Sequence, residues 1–157
     1  MLILEYINSS ENVVNLTGLP NEDKEKYKLQ NHAPQVPLQG SLPVIDVNLS
    51  LKKDTGFSGY KTLIKDFNII HEKIKLQNPE NINSYLDNLI ALGLLYKPFG
   101  VRFAIKPIYN HLKEHQEIKK IERELGEEQK LNLVEGKIEM TSLCKAMLFL
   151  CSKKEKE

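Results

Sequence analysis

The sequence predicts an α+β fold of winged-helix type: a helix-turn-helix pair closed by a small antiparallel sheet, with a helical insertion in the wing. Three features predict it. Residues 78–93 carry a complete helix signal, in which Asn78 suits the N-cap and Pro79 the first helical position. Ile82, Tyr85, Leu86, Leu89 and Ile90 share one face there, and Gly93 offers a left-handed stop. Residues 60–74 repeat the period, with Tyr60, Leu63, Phe67, Ile70 and Ile74 three and four apart, so the two segments read as consecutive helices joined at 76–78. Residues 94–97 and 137–140 then read as short strands that pair and close the sheet.

The totals set the frame. A chain of 157 residues is one domain's worth and buries roughly 70% of its unfolded surface. Lys and Arg number 22 against 21 Asp and Glu, and the balance holds on both sides of Asn78, so global charge singles out neither nucleic acid nor an anionic membrane. No apolar run approaches the ~18 residues a membrane span requires, and Met1 is followed by no basic start or cleavage site. A cytoplasmic protein is expected, and the three glycosylation triplets at Asn8, Asn15 and Asn48 then carry no meaning. Cys144 and Cys151 lie seven apart in one predicted helix, about 10.5 Å by helical rise, so they cannot bridge each other and read as small core residues.

In chain order, residues 1–7 are apolar and start without a cap, like the tail of a helix whose beginning is missing, and a fragment is expected. Residues 8–40 hold Pro20, Pro34 and Pro37 and no sustained apolar period; they read as an irregular arm with a turn of helix after Pro20. Residues 43–49 alternate as a half-buried strand, 52–56 as a turn, and Ser58 as the cap of the 60–74 helix. Residues 101–105 read as a strand and 107–125 as a helix ended by Gly126. Residues 131–134 and 137–140 follow as two strands about a turn at Glu135–Gly136, and Thr141 caps a last helix over 142–152. The domains expected are therefore 1–40, helix remnant and arm; 41–153, winged-helix-like; and 154–157, a frayed tail.

Four stretches together resemble the abortive-infection alpha family: Leu42-Pro-Val-Ile-Asp-Val, the 83–95 run ending Leu-Gly-Leu-Leu, Tyr109-Asn-His-Leu-Lys-Glu-His, and Gly136-Lys-Ile-Glu-Met-Thr-Ser-Leu-Cys-Lys-Ala-Met. The likeness covers residues 41–152 and rests on order and spacing. Members of that family usually carry a further N-terminal region and tend to have an aromatic residue and Gly where this chain has Leu143 and Cys144. The resemblance implies a role in phage defence and supplies no catalytic residues.

Three constellations remain. His111 and His115 stand in an H-x-x-E-H spacing that can place two imidazoles on one helical turn for zinc, but the distal carboxylate such peptidases need has no room downstream. A packed or surface pair is the expected reading, with no metal and no cofactor. For nucleic acid, the second helix lacks Lys and Arg and faces outward with Glu80 and Asp87. Binding would fall to Asn83 and to flanking Lys73, Lys75, Lys97, Arg102 and Lys106. The last helix is apolar nearly all round and must be covered on more than one side. Leu2 and Tyr6 in the first helix, with Met147 and Phe149 in the last, are therefore the expected interface for a protein partner or a second copy. The function expected is a non-enzymatic interaction module with no small-molecule substrate or membrane partner, and a nucleic-acid-binding regulator is the alternative.

Overall fold

The computed structural model describes residues 2–16, 19–28, 35–51 and 59–154. Its centre is a four-stranded antiparallel sheet in the order β4-β3-β6-β5. Strands β3 (Ser41–Leu51) and β6 (Gln129–Met140) pair along their whole length, from Ser41 opposite Glu139 to Leu51 opposite Gln129. Strand β4 (Lys61–Phe67) lies on the outer side of β3, and β5 (Leu95–Tyr96) pairs with the end of β6, Leu95 opposite Met140. A separate pair, β1 (Val13–Asn15) and β2 (Gln35–Pro37), comes from the first forty residues, with α2 (Asn21–Lys26) between them in sequence.

Strand alternation sends successive side chains of β3 to opposite faces, and each face is clad by helices. Leu42 and Val44, with Ile138 and Met140 of β6, join a core with α1 (Leu2–Asn8), α4 (Ile82–Ala91) and α7 (Ser142–Lys154), to which Ile3, Leu4, Ile7, Leu86 and Cys144 contribute. Ile45 and Val47 point the other way, onto Phe67, Tyr109, Leu112 and Ile118, carried by β4, a 3-10 turn (Lys106–Tyr109), α5 (Asn110–Lys113) and α6 (Gln116–Arg123). Helix α3 (Ile70–Lys73) is a single turn between β4 and α4.

Helix α4 ends as its residues predict. Gly93 takes φ 70°, Leu94 N–H donates to the Leu89 carbonyl at 3.0 Å and Gly93 N–H to that of Ile90 at 2.9 Å, the paired bonds of a glycine C-cap. Its start differs: residues 79–81 form a 3-10 turn and Asn78 makes no side-chain cap bond. The pairing of 94–97 with 137–140 is present as β5 on β6, and a helical segment intervenes between them.

The helix-turn-helix pair is not formed. Residues 61–67 are strand β4, and only the single turn of α3 stands before α4, so the architecture is a mixed α+β fold around an antiparallel sheet. The helix-like spacing has a structural source. β4 carries two bulges, and the one at Lys65–Asp66, with Asp66 at φ 53°, lets Ile64 and Phe67 face the same core although they are three residues apart. Residues 131–140 also differ, since β6 runs unbroken through Glu135–Gly136. Gly136 therefore lies inside a strand and makes no reversal, and a Cβ there would meet Val44 and Lys97 only at ordinary contact distance. Residues 101–105 form no strand; they are held by Phe103 N–H donating to the Tyr109 hydroxyl at 2.9 Å.

The helix expected over 107–125 breaks at Glu114–His115. In one straight helix Leu112 and Ile118 would point about 120° apart, and the break brings both onto the same core. The expected turn at 52–56, the Ser58 cap and residues 155–157 of the expected tail lie outside the described residues.

Candidate interaction surface

Helix α7 starts where three elements meet. Thr141 Oγ1 accepts from Cys144 N–H at 3.2 Å as its N-cap and donates to the Gly93 carbonyl at 2.8 Å, fixing the helix against the turn after α4. Cys144 is fully buried and Leu148 packs on the core, so this side of α7 faces the sheet. A flank of the helix away from that side carries Leu143, Met147 and Leu150 at helical spacings of four and three, exposed to 57%, 46% and 62%. Within the chain, and among the described residues, one side of this helix is sealed and the other is open.

Met147 and Phe149, expected at the interface, are both exposed. Phe149 lines a depression between α1 and α7 with Glu5, Asn8 and Leu148. Leu2 is exposed and borders a shallow apolar groove with Leu76, Tyr85 and Leu89, whereas Tyr6 is half-buried and opens onto a different cleft. The structure therefore does not gather Leu2 and Tyr6 onto the outer face of α7. Leu143 and Leu150 were not among the residues expected there; their steps of four and three from Met147 put them on one face, and how Cys144 and Leu148 dock opens that face to solvent.

The cations considered for nucleic acid are dispersed, and two of the five, Lys97 and Arg102, meet carboxylates. Lys97 Nζ bridges Asp46, at 3.2 Å, and the buried Asp66. Asp46 also accepts from Asp66 N–H at 2.8 Å, so the cluster pins the β4 bulge. Arg102 meets Glu135 at 3.4 Å, beside Lys113 at 2.6 Å. Asn83 spends its amide on the Lys65 carbonyl at 2.9 Å, and Asp87 holds Lys65 at 3.1 Å. Lys73, Lys75 and Lys106 are exposed, on or beside α3 and in the 3-10 turn before α5.

The two histidines stand on different helical segments and have different partners. His115 sits at the helix break with φ −62° and ψ 143°, where its Nδ1 caps α6 by accepting from Glu117 N–H at 3.3 Å and its Nε2 meets Glu72 at 2.8 Å. His111 lies in the preceding helix, and burial above all, with Lys73 adding to it, holds its pKa below the ordinary 6.5. Among the described residues no three His, Cys, Asp or Glu side chains converge to hold a metal. Both cysteines are free thiols, and burial pushes that of Cys144 up.

These features define a mixed α+β protein, its antiparallel sheet clad by helices on both faces and one of those helices apolar toward solvent. The chain belongs to the abortive infection alpha family, whose pattern it matches over residues 13–151. That match takes in β1, α2 and β2 as well as the region from Ser41 onward. No curated protein and no solved structure matches the chain. Among the described residues no helix is long and apolar enough to cross a membrane.

Proposed function

We propose that the chain serves abortive infection, a phage-defence response, as a non-enzymatic interaction module whose contact surface is the outer face of α7. Membership of the abortive infection alpha family supports the context. The observation that carries the surface is the open stripe of Leu143, Met147 and Leu150 on a helix whose other side is already spent on the core. The occupant is a second copy of the chain. A three-residue apolar stripe repeats itself across a two-fold axis, so two copies can lay the same residues against each other. Each Leu or Met side chain covered contributes about 1.5–3 kcal/mol, and a two-fold contact counts each one twice.

Light scattering of the chain over a range of concentrations tests this directly. A dimeric mass that falls to monomer on Leu143→Glu or Leu150→Glu supports the reading. A monomer at every concentration, or a dimer that both substitutions leave intact, overturns it.

A further inference from the structure

The two edges of the sheet meet solvent differently. β4 is guarded as edge strands often are, by two bulges and by the Asn83 amide on the Lys65 carbonyl at 2.9 Å. On the other side β5 covers β6 only at Glu139 and Met140. Continued in register, Pro98 would fall opposite Lys137, and with no N–H to donate it ends the pairing there. The chain beyond meets β6 through side chains, Arg102 on Glu135 at 3.4 Å and Lys137 Nζ 5.7 Å from the centre of the Phe103 ring. Met140 N–H donates to the Gly40 carbonyl at 2.7 Å on the β3 side, and Thr141 N–H to the Leu94 carbonyl at 3.0 Å on the β5 side. The β3–β6 register has no shift, so even-numbered residues of β6 bond β3 and odd-numbered ones turn their N–H and C=O outward. Among the described residues nothing bonds the outward groups of Leu131 and Leu133, and residues 130–134 hold no bulge and no proline to guard them.

We propose that this edge takes an extended segment of a partner protein as an added strand opposite residues 130–134. A row of N–H and C=O groups at strand spacing is matched group for group by another extended backbone, and this selects the partner's conformation. The strand is antiparallel, as every pairing in the sheet already is. Its side chains follow from the pleat. Those opposite Leu131 and Leu133 lie on the face of Ile45 and Val47, where both leucines are half-buried, and they are apolar. Those opposite Lys130 and Asn132 lie on the other face, where both residues are exposed. Lys130 enters no ion pair among the described residues, so the position opposite it is a carboxylate. Glu135, at the end of the open stretch, is already answered by Arg102 and Lys113 and asks for no further charge.

Amide NMR of the full chain tests this, with the blocked hexapeptide acetyl-Thr-Val-Thr-Val-Glu-Val-amide as probe, whose glutamate falls opposite Lys130. In the free chain the Leu131 and Leu133 amides exchange with solvent at least roughly tenfold faster than those of Asn132 and Val134, which bond β3. The peptide at millimolar concentration shifts the Leu131 and Leu133 resonances and slows their exchange. The same peptide N-methylated on the two valines that oppose the leucines keeps its side chains, loses the donors and does neither. Lys130→Glu weakens the peptide about threefold, and a lysine in place of its glutamate restores it. Slow exchange of Leu131 and Leu133 in the free, dilute chain overturns the proposal, as does a peptide that leaves both amides unchanged or an N-methylated one that acts equally. Protection that grows with chain concentration in the absence of peptide assigns the edge to a second copy and overturns it too. Leu150→Glu, on the α7 face, leaves the peptide's effect unchanged, so the two readings fail separately.

Discussion

Helices α6 and α7 clad opposite faces of one sheet, begin with the same device and finish differently. Each starts on a side-chain acceptor, His115 Nδ1 for α6 and Thr141 Oγ1 for α7, and each inserts a fully buried residue, Ile118 and Cys144, into its core. Their outer sides diverge. α6 shows Glu117, Lys120 and Arg123 to solvent, and Lys119 bridges Glu114 at 3.3 Å and Glu122 at 3.1 Å. α7 shows leucine, methionine and leucine. One helix is dressed for water on the side the core does not use, and the other is not, which is why the proposed contact surface is placed on α7.

The comparison makes the inner sides equivalent, and this gives the largest expected effects. Leu86→Ala beneath α4 and Ile118→Ala beneath α6 each remove a side chain exposed by 1% or less. Both should cost about 2–5 kcal/mol in urea unfolding. A difference of several kcal/mol between them would show one face of the sheet to be the main core and the other an accessory layer.

The α6 side should also carry an alkaline signature, centred on Tyr109. The Tyr109 hydroxyl accepts from Phe103 N–H and donates to the Gly136 carbonyl, each at 2.9 Å, and burial pushes its pKa from 10.0 up to about 12. An acid whose folded pKa is raised contributes stability that is whole below pH 10 and is lost as pH climbs toward 12. Tyr109→Phe should cost about 1–3 kcal/mol at neutral pH, from two stranded backbone partners, and should flatten the fall in stability between pH 10 and 12. An unfolding curve as steep there as the wild type's would mean that other groups set the alkaline limit.

What could be read in advance follows the range over which each signal acts. The 82–91 helix, the 41–51 strand and the Thr141 cap announce themselves within a few residues, through Gly93, through alternation and through a hydroxyl before an apolar run. The β5–β6 pairing was legible because both strands are short and bounded. β4 was not, because its bulges turn a period of two into steps of three and imitate a helix, and the bulge at Asp66 is held by Lys97 and Asp46 from distant segments. Gly136 resembles a turn residue in the sequence, and only the pairing of β6 with β3 shows it to lie within a strand. Of the site, the apolar character of α7 was legible and its open side was not. Which side faces water depends on how Cys144 and Leu148 dock, and no spacing within the helix carries that.

The smallest effects on the folded monomer belong to the outer sides and divide the two helices most sharply. Lys120→Ala on α6 and Leu150→Gln on α7 both alter exposed side chains, so each should change monomer stability by no more than about 0.5 kcal/mol. Association adds a second dependence. If α7 pairs with its own copy, mass action raises Tm with protein concentration, since binding between folded chains favours the folded state. Lys120→Ala should leave that dependence whole, and Leu150→Gln should abolish it while leaving Tm at the lowest concentration unchanged. Equal responses from the two variants would remove the distinction between the helices, because the charged and the apolar outer faces would then be doing the same thing.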